Sequence, residues 1–525
     1  MLDTVIRGGT LVDGTGSPGR AEDVGISGDR IEALGDLSEA EAGRTIDATG
    51  LTVSPGFIDT HTHSDAALLT DPQHAQGLRQ GITTEILGQD GLSYAPLSAD
   101  NYREYARYLA GILGEPPEDL DMSSVAAFRS HYDGIGINTA YLVPHGAVRL
   151  EAVGFRDVPL EGELLDRARQ LVAEGMEQGA VGLATGLSYH PHAWSDTREI
   201  VALCEVVRDG GGVYVTHLRD VNTDRAFGEG GIPEALEIGR RSGVKVHFSH
   251  HRTHAVTAGK VKERMALIDE AKSEGVDVTA DLYPYPTGST YPLSYIPSPA
   301  HEDGLDAVLE RLRDPAQRAA IARDLDENPR ERFADAIFSY LGKSRKMEGM
   351  SLVDIAEMRG VTGGTALCEL LIEEEGQVCY WGSPPDSVAV WRQVSRDSLE
   401  LLARADYMVG SDSIHVGSVP HPRAYGTFPR FLGRLRRQFD TISLEQTVQR
   451  MTDNPARRFN LTDRGRIAEG YFADVVVFDA DRIIDTATYD DPKQFPAGIP
   501  FVLVNGRVAV DQDRCTGVFA GRAIP

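Results

Sequence analysis

The chain has 525 residues, enough for one large core and a smaller companion domain. A formal charge of −27 argues against broad electrostatic attraction to nucleic acid or to an anionic membrane surface, and a quarter of the residues being charged is ordinary for a soluble protein. The four cysteines (Cys204, Cys368, Cys379, Cys515) form no CxxC pair, the first residues lack an apolar leader core, and no apolar run reaches membrane-spanning length. These features predict a cytoplasmic protein.

The N-terminal stretches "TVIRGGTLVDG", "EDVGISGDRIEALGD" and "RTIDATGLTVSPG" read as short strands joined by tight turns. The same texture returns in "GRIAEGYFADVVVFDADRII" and "VLVNGRVAV" near the C-terminus, so a small β-sandwich domain built from both termini is expected, over 1–54 and 464–525. Between them, eight strand-like runs end at "FIDTHTH", "TTEILGQD", "TAYLVPHG", "AVGLATG", "VYVTHLR", "VHFSHHR", "DVTADLYPY" and "YMVGSDS". Helical patterns such as "LLDRARQLVAEGMEQG" and "KERMALIDEAKSEG" separate several of them. The expected fold is therefore α/β, a (β/α)8 TIM-like barrel over 55–463. The stretch from about 287 to 406 is too long for one crossover and predicts an inserted subdomain between strands seven and eight, placed to act as a lid.

Residues two apart in a strand point to one side, so His61 and His63 can aim inward together. Asp90, His217, His250 and Asp412 stand at further strand ends, giving six metal-competent side chains from five strands at the mouth where barrel chemistry is found. Imidazole and carboxylate are the usual nitrogen and oxygen ligands of zinc. Asp412, after strand eight, is the candidate general base, taking a proton from water and passing it to the leaving amine. Cys204, in an apolar helical run, reads as core, and alternation turns His251 away from its neighbour His250.

This layout, with "PGFIDTHTHSD", "QGITTEILGQDGLSYAPL", "THLRD", "SHHR", "ADLYPYPTGST" and "GSDS", resembles the amidohydrolase superfamily, and within it the N-acyl-D-amino-acid deacylases, over nearly the whole chain. The resemblance implies that His61 and His63 hold one Zn2+ and that His217 and His250 hold a second, with other divalent transition metals as alternatives. It sets Asp90 where those deacylases carry a cysteine, a harder ligand that can still bridge two metals. The carboxylated lysine that bridges metals in the hydantoinases and dihydroorotases has no counterpart in "AVGLATGLSYH". For the substrate, Arg252 can form a bidentate contact with a carboxylate where the deacylases mostly carry lysine, and Tyr283 and Ser289 match positions that hold the substrate carboxylate. The implied activity is hydrolysis of an N-acyl amino acid, a small-molecule partner, with the D-hand favoured. Cleavage of an Nε-acyl-L-lysine, hydrolysis of a cyclic amide and a non-catalytic scaffold stay open as alternatives, as does the oligomeric state.

Overall fold

A computed structural model of the chain describes residues 1–328 and 334–524. Eight parallel strands form one sheet in sequence order: Phe57–Asp59, Ile82–Leu87, Asn138–Pro144, Gly182–Gly186, Val213–His217, Lys245–Phe248, Val278–Leu282 and Tyr407–Val409. They are called strands one to eight below. Side chains on both faces are buried, as a parallel sheet covered by helices requires. Inside, Ile58, Ile86, Leu142, Ala184, Val215 and Met408 pack with Phe459 in one apolar cluster. Outside, Leu87, Val143, Leu183, Val246 and Leu282 join the large core shared with the surrounding helices. Each fully buried aliphatic side chain of this kind contributes about 1.5–3 kcal/mol.

The seam between strands one and eight carries the polar contacts that matter for the site. The N–H of Thr60 donates to the carbonyl of Val409 at 3.3 Å, and that of Asp412 to the carbonyl of His61 at 2.7 Å. Buried Asp59 accepts from the backbone N–H of His61 at 3.1 Å and of Ser411 at 2.8 Å, tying the two strand ends together. A short parallel pair, Thr62–His63 with Ser413–Ile414, continues the seam beyond the barrel. Gly410 must be glycine on steric grounds, because a Cβ there would lie 2.6 Å from that of His61.

The terminal segments form a four-stranded and a seven-stranded sheet, and the second contains strands from both ends of the chain, with Val477 opposite Val53. Ile6, Val24 and Ile46 of one sheet pack against Val53, Val475 and Leu503 of the other, giving the expected sandwich. Between strands seven and eight lies the expected insertion. Its three-stranded sheet (Ser289–Thr290, Ala336–Leu341, Val378–Gly382) is accompanied by helices that include Gly304–Arg313, Leu352–Arg359 and Gly363–Glu373. The hydroxyl of Ser351 and the carboxylate of Asp354 form a capping box at the start of the second of these helices. Among the described residues no helix is long and apolar enough to cross a membrane.

Candidate metal centre

His61 and His63 leave strand one side by side, their rings 5.3 Å apart, and both are buried. Strand two delivers Asp90 through a tight turn. Gly88 there has φ 82°, and a Cβ would lie 2.2 Å from the carbonyl oxygen of Leu142. His217 closes strand five, and its Nδ1 lies 3.0 Å from Nε2 of His250, just past strand six.

The Asp90 carboxylate is the centre of this group. Its Oδ1 is 3.6 Å from His61 Nε2, and its Oδ2 lies 3.7 Å from His63 Nε2, 3.6 Å from His217 Nδ1 and 3.7 Å from His250 Nε2. Oδ1 of Asp412 completes the set, 3.3 Å from His63 Nε2 and 3.7 Å from His61 Nε2. All six side chains named from the sequence therefore converge.

Three of the six have backbones in the left-handed region that non-glycine residues seldom adopt: Asp90 at φ 55°, Asp412 at 53° and His250 at 37°. Such strain costs about 1–3 kcal/mol per residue and persists only where the surroundings over-determine it. Each is pinned by a hydrogen bond. His192 Nε2 donates to the carbonyl of Asp90 at 3.0 Å, the N–H of Asp412 reaches His61, and the N–H of His250 donates to Asp281 Oδ1 at 2.6 Å. Asp281 also lies 2.9 Å from His247 Nε2 and 3.6 Å from His61 Nδ1.

The donor set fits a divalent transition metal. Both ring nitrogens of His61, Nδ1 of His63 and Oδ1 of Asp90 are buried without a hydrogen-bond partner among the described residues, a costly arrangement unless a cation is the missing partner. Two trios, His61–Asp90–His250 and His61–His63–Asp412, each bring one donor atom per residue within 4.8 Å of one another. Electrostatics agree. Burial opposes the charge on Asp90, but His61 and then His217 and His250 more than offset it and hold its pKa well below the usual carboxylate range. Burial likewise raises Asp412, and Arg423 with the facing imidazoles reverses the effect, so this carboxylate is also held low and stays ionised.

A cavity of about 310 Å³ opens from this centre, at the small end of the roughly 300–1,000 Å³ typical of small-molecule sites. Arg252, Tyr283 and Ser289 all line it. Arg252 is buried, donates to the Tyr283 hydroxyl at 2.7 Å and to the Thr253 carbonyl at 3.3 Å, and has no carboxylate partner among the described residues. The Ser289 hydroxyl donates to the carbonyl of Tyr380 at 2.8 Å, so its proton is committed within the insertion.

Sequence reasoning missed Arg423. It is fully buried, with Nη1 2.7 Å from Oδ2 of Asp412, and its guanidinium stands 4.7 Å from the Tyr283 ring, which also has Arg252 at 4.2 Å. It also missed Asp281, although its place two residues before Tyr283, at the end of strand seven, was a usable signal. His254 lines the cavity without having been singled out. His251 turns away as alternation predicts, its Nδ1 2.6 Å from the Tyr407 hydroxyl, and Cys204 is buried in the core.

Residues 44–510 match the family described as "Amidohydrolase family". N-acyl-D-glutamate deacylase of Alcaligenes xylosoxydans xylosoxydans is 36% identical, the match covering 96% of this chain and 93% of that protein. D-aminoacylase of the same organism is 34% identical, over 100% of this chain and 97% of that protein. Among solved structures, the N-acyl-D-glutamate deacylase of Bordetella bronchiseptica, complexed with zinc and a phosphonate mimic of the tetrahedral intermediate, superposes with a TM-score of 0.83. It is 31% identical, with 100% of this chain and 99% of that one covered. Fold, site geometry and full-length similarity agree, and the chain belongs to the amidohydrolase family, in its N-acyl-D-amino-acid deacylase branch.

Proposed function

We propose that this protein is a zinc-dependent hydrolase that cleaves the amide bond of N-acyl-D-amino acids, releasing a carboxylate and the free amino acid. One observation carries the reading: four imidazoles and two carboxylates meet at one barrel mouth with donor atoms unpaired among the described residues, beside the buried guanidinium of Arg252, which has no carboxylate partner among them. In this reading His61 and His63 would hold one ion and His217 and His250 a second, with Asp90, whose carboxylate is within 3.7 Å of all four imidazoles, and Asp412 as further ligands. One or two zinc ions suit these donors, and other divalent transition metals share the preference. The metal, when bound, polarises the amide carbonyl and lowers the pKa of water.

The protein's own groups supply the rest. Asp412, ionised and aimed at His61 and His63, accepts the proton of the attacking water and returns it to the amide nitrogen, which leaves poorly unless protonated. Arg423 sets its charge 2.7 Å from the other carboxylate oxygen and keeps the base ionised. Arg252 and Tyr283 receive the substrate carboxylate, with Ser289 at the edge of the same subsite. The catalytic unit is 55–463, with 287–406 covering the cavity and 1–54 and 464–525 forming the flanking sandwich. The names of the relatives favour the D-hand, and the four unpaired cysteines suit a cytoplasmic setting.

The test is a matched panel on zinc-loaded protein: Nα-acetyl-D-, Nα-acetyl-L- and Nε-acetyl-L-amino acids, together with a cyclic amide. Release of amino acid from the Nα-acetyl-D member is expected. Turnover confined to the ε-amide or to the cyclic amide would overturn the reading.

A further inference from the structure

The deacylase reading leaves the side chain of the substrate open, and the charge balance of the cavity addresses it. Arg252 is the lone lysine or arginine lining the cavity among the described residues. Arg423, behind it, is already paired with Asp412. His254 adds no cation, since burial and then the neighbouring Arg252 push its pKa well below the ordinary value. Apart from the metal-competent group, the remaining charged side chain on the lining is acidic: Asp220, exposed at the cavity rim.

The other walls are neutral, with Tyr189, Tyr283, Tyr295 and Tyr380 set among small and hydroxyl-bearing residues. Tyr189 stacks on Tyr291 at 5.7 Å, with its hydroxyl 3.2 Å from Thr290 Oγ1. Tyr295 stacks on Tyr380 at 5.4 Å, and the two hydroxyls are hydrogen-bonded to each other. Ser188, Thr290 and Ser294 fill the gaps between them. A substrate carboxylate seated on Arg252 uses the cation this lining offers. A second carboxylate would find neutral hydroxyls but no second cation on the described lining, a poorer exchange for its water than seating an apolar group against tyrosine rings.

Resting on the deacylase reading, we infer that the site selects N-acyl-D-amino acids with a single carboxylate and a neutral, apolar side chain, and that Asp220 helps to repel acidic ones. Specificity then comes from a repulsive element as well as an attractive wall.

The experiment compares kcat/KM of zinc-loaded wild type for N-acetyl-D-methionine and N-acetyl-D-leucine with that for N-acetyl-D-glutamate and N-acetyl-D-aspartate. N-acetyl-D-glutamate is also run as a competitor of N-acetyl-D-methionine hydrolysis. The neutral substrates are expected to lead by at least about a hundredfold, with only weak competition by the acidic one. Asp220→Lys is expected to narrow the ratio about tenfold, by exchanging repulsion for attraction. Equal or faster hydrolysis of the acidic pair overturns the inference and leaves the deacylase reading standing. A ratio unmoved by Asp220→Lys overturns the role given to Asp220. Hydrolysis of no N-acyl amino acid of either hand removes the deacylase reading, and the inference with it.

Discussion

Nη1 of Arg423 lies 2.7 Å from Oδ2 of Asp412, with Arg423 fully buried and Asp412 nearly so. A buried guanidinium this close does two things at once. It keeps the carboxylate ionised against the burial that would protonate it, and it leaves Oδ1 facing the imidazoles.

Replacing Arg423 by Met should therefore raise the pKa of Asp412 and move the acidic limb of the kcat/KM profile to higher pH. A loss of about a hundredfold in kcat is expected, within the range for a mis-set general base. Arg423→Lys should recover part of it, since the charge returns without the planar fork. The pH profile of each variant, with circular dichroism to verify folding, is the check; an unmoved limb would separate Arg423 from the base.

Asp90 is within 3.7 Å of all four imidazoles, so it should govern how much metal the protein keeps. Asp90→Ala should retain less zinc after dialysis, while Asp90→Cys, which restores a softer ligand at the same place, should retain it. Metal content by mass spectrometry reads the outcome directly. Equal zinc in wild type and Asp90→Ala would remove Asp90 from the ligand set.

Asp281 is not among the residues lining the cavity at the centre, yet it contacts the side chains of His61 and His247 and the backbone of His250. Partners of this kind orient metal ligands, and losing one typically costs about 10–100-fold in metal affinity. Asp281→Asn should show that loss in a zinc titration while its far-ultraviolet dichroism stays that of wild type. Wild-type zinc affinity in Asp281→Asn would assign the residue to stability alone.

Protons should compete with zinc at His61. In the metal-free protein burial disfavours its charged form, but Asp90 and Asp281 more than compensate, and its pKa stands well above the ordinary 6.5. The folded protein thus holds a proton that the unfolded chain releases. That contribution to stability is complete below about 6.5 and is lost as pH climbs through the raised value. Zinc must displace the proton. Apparent zinc affinity should increase with pH above 6.5, with proton release visible by calorimetry in two buffers of different ionisation enthalpy. Binding without proton release would contradict this assignment.

The barrel was legible because its strands are short apolar runs buried on both faces, and because the candidate ligands stand at or shortly after their ends. His61 and His63 needed only alternation; Asp90, His217, His250 and Asp412 needed only the ends of the runs. Arg423 was illegible for a physical reason. It sits in "HPRAYG", beyond strand eight, where no periodicity marks direction, and its importance arises solely from the fold returning it to Asp412. Ser289 shows the converse. The resemblance to the deacylases implies a substrate contact there, but pairing with Trp381 and its neighbours in the inserted sheet commits its hydroxyl to a backbone carbonyl. The aromatic walls were equally hidden, because Tyr189, Tyr295 and Tyr380 come from three distant segments that meet only when the insertion folds over the barrel mouth.

The most direct test of the central claim is the rate of D-methionine release from N-acetyl-D-methionine by zinc-loaded wild type, chelated wild type and zinc-loaded Asp412→Asn, measured side by side. Release by the first, with both others lower by about a thousandfold or more, is the predicted result. Full activity after chelation, or in Asp412→Asn, would contradict it.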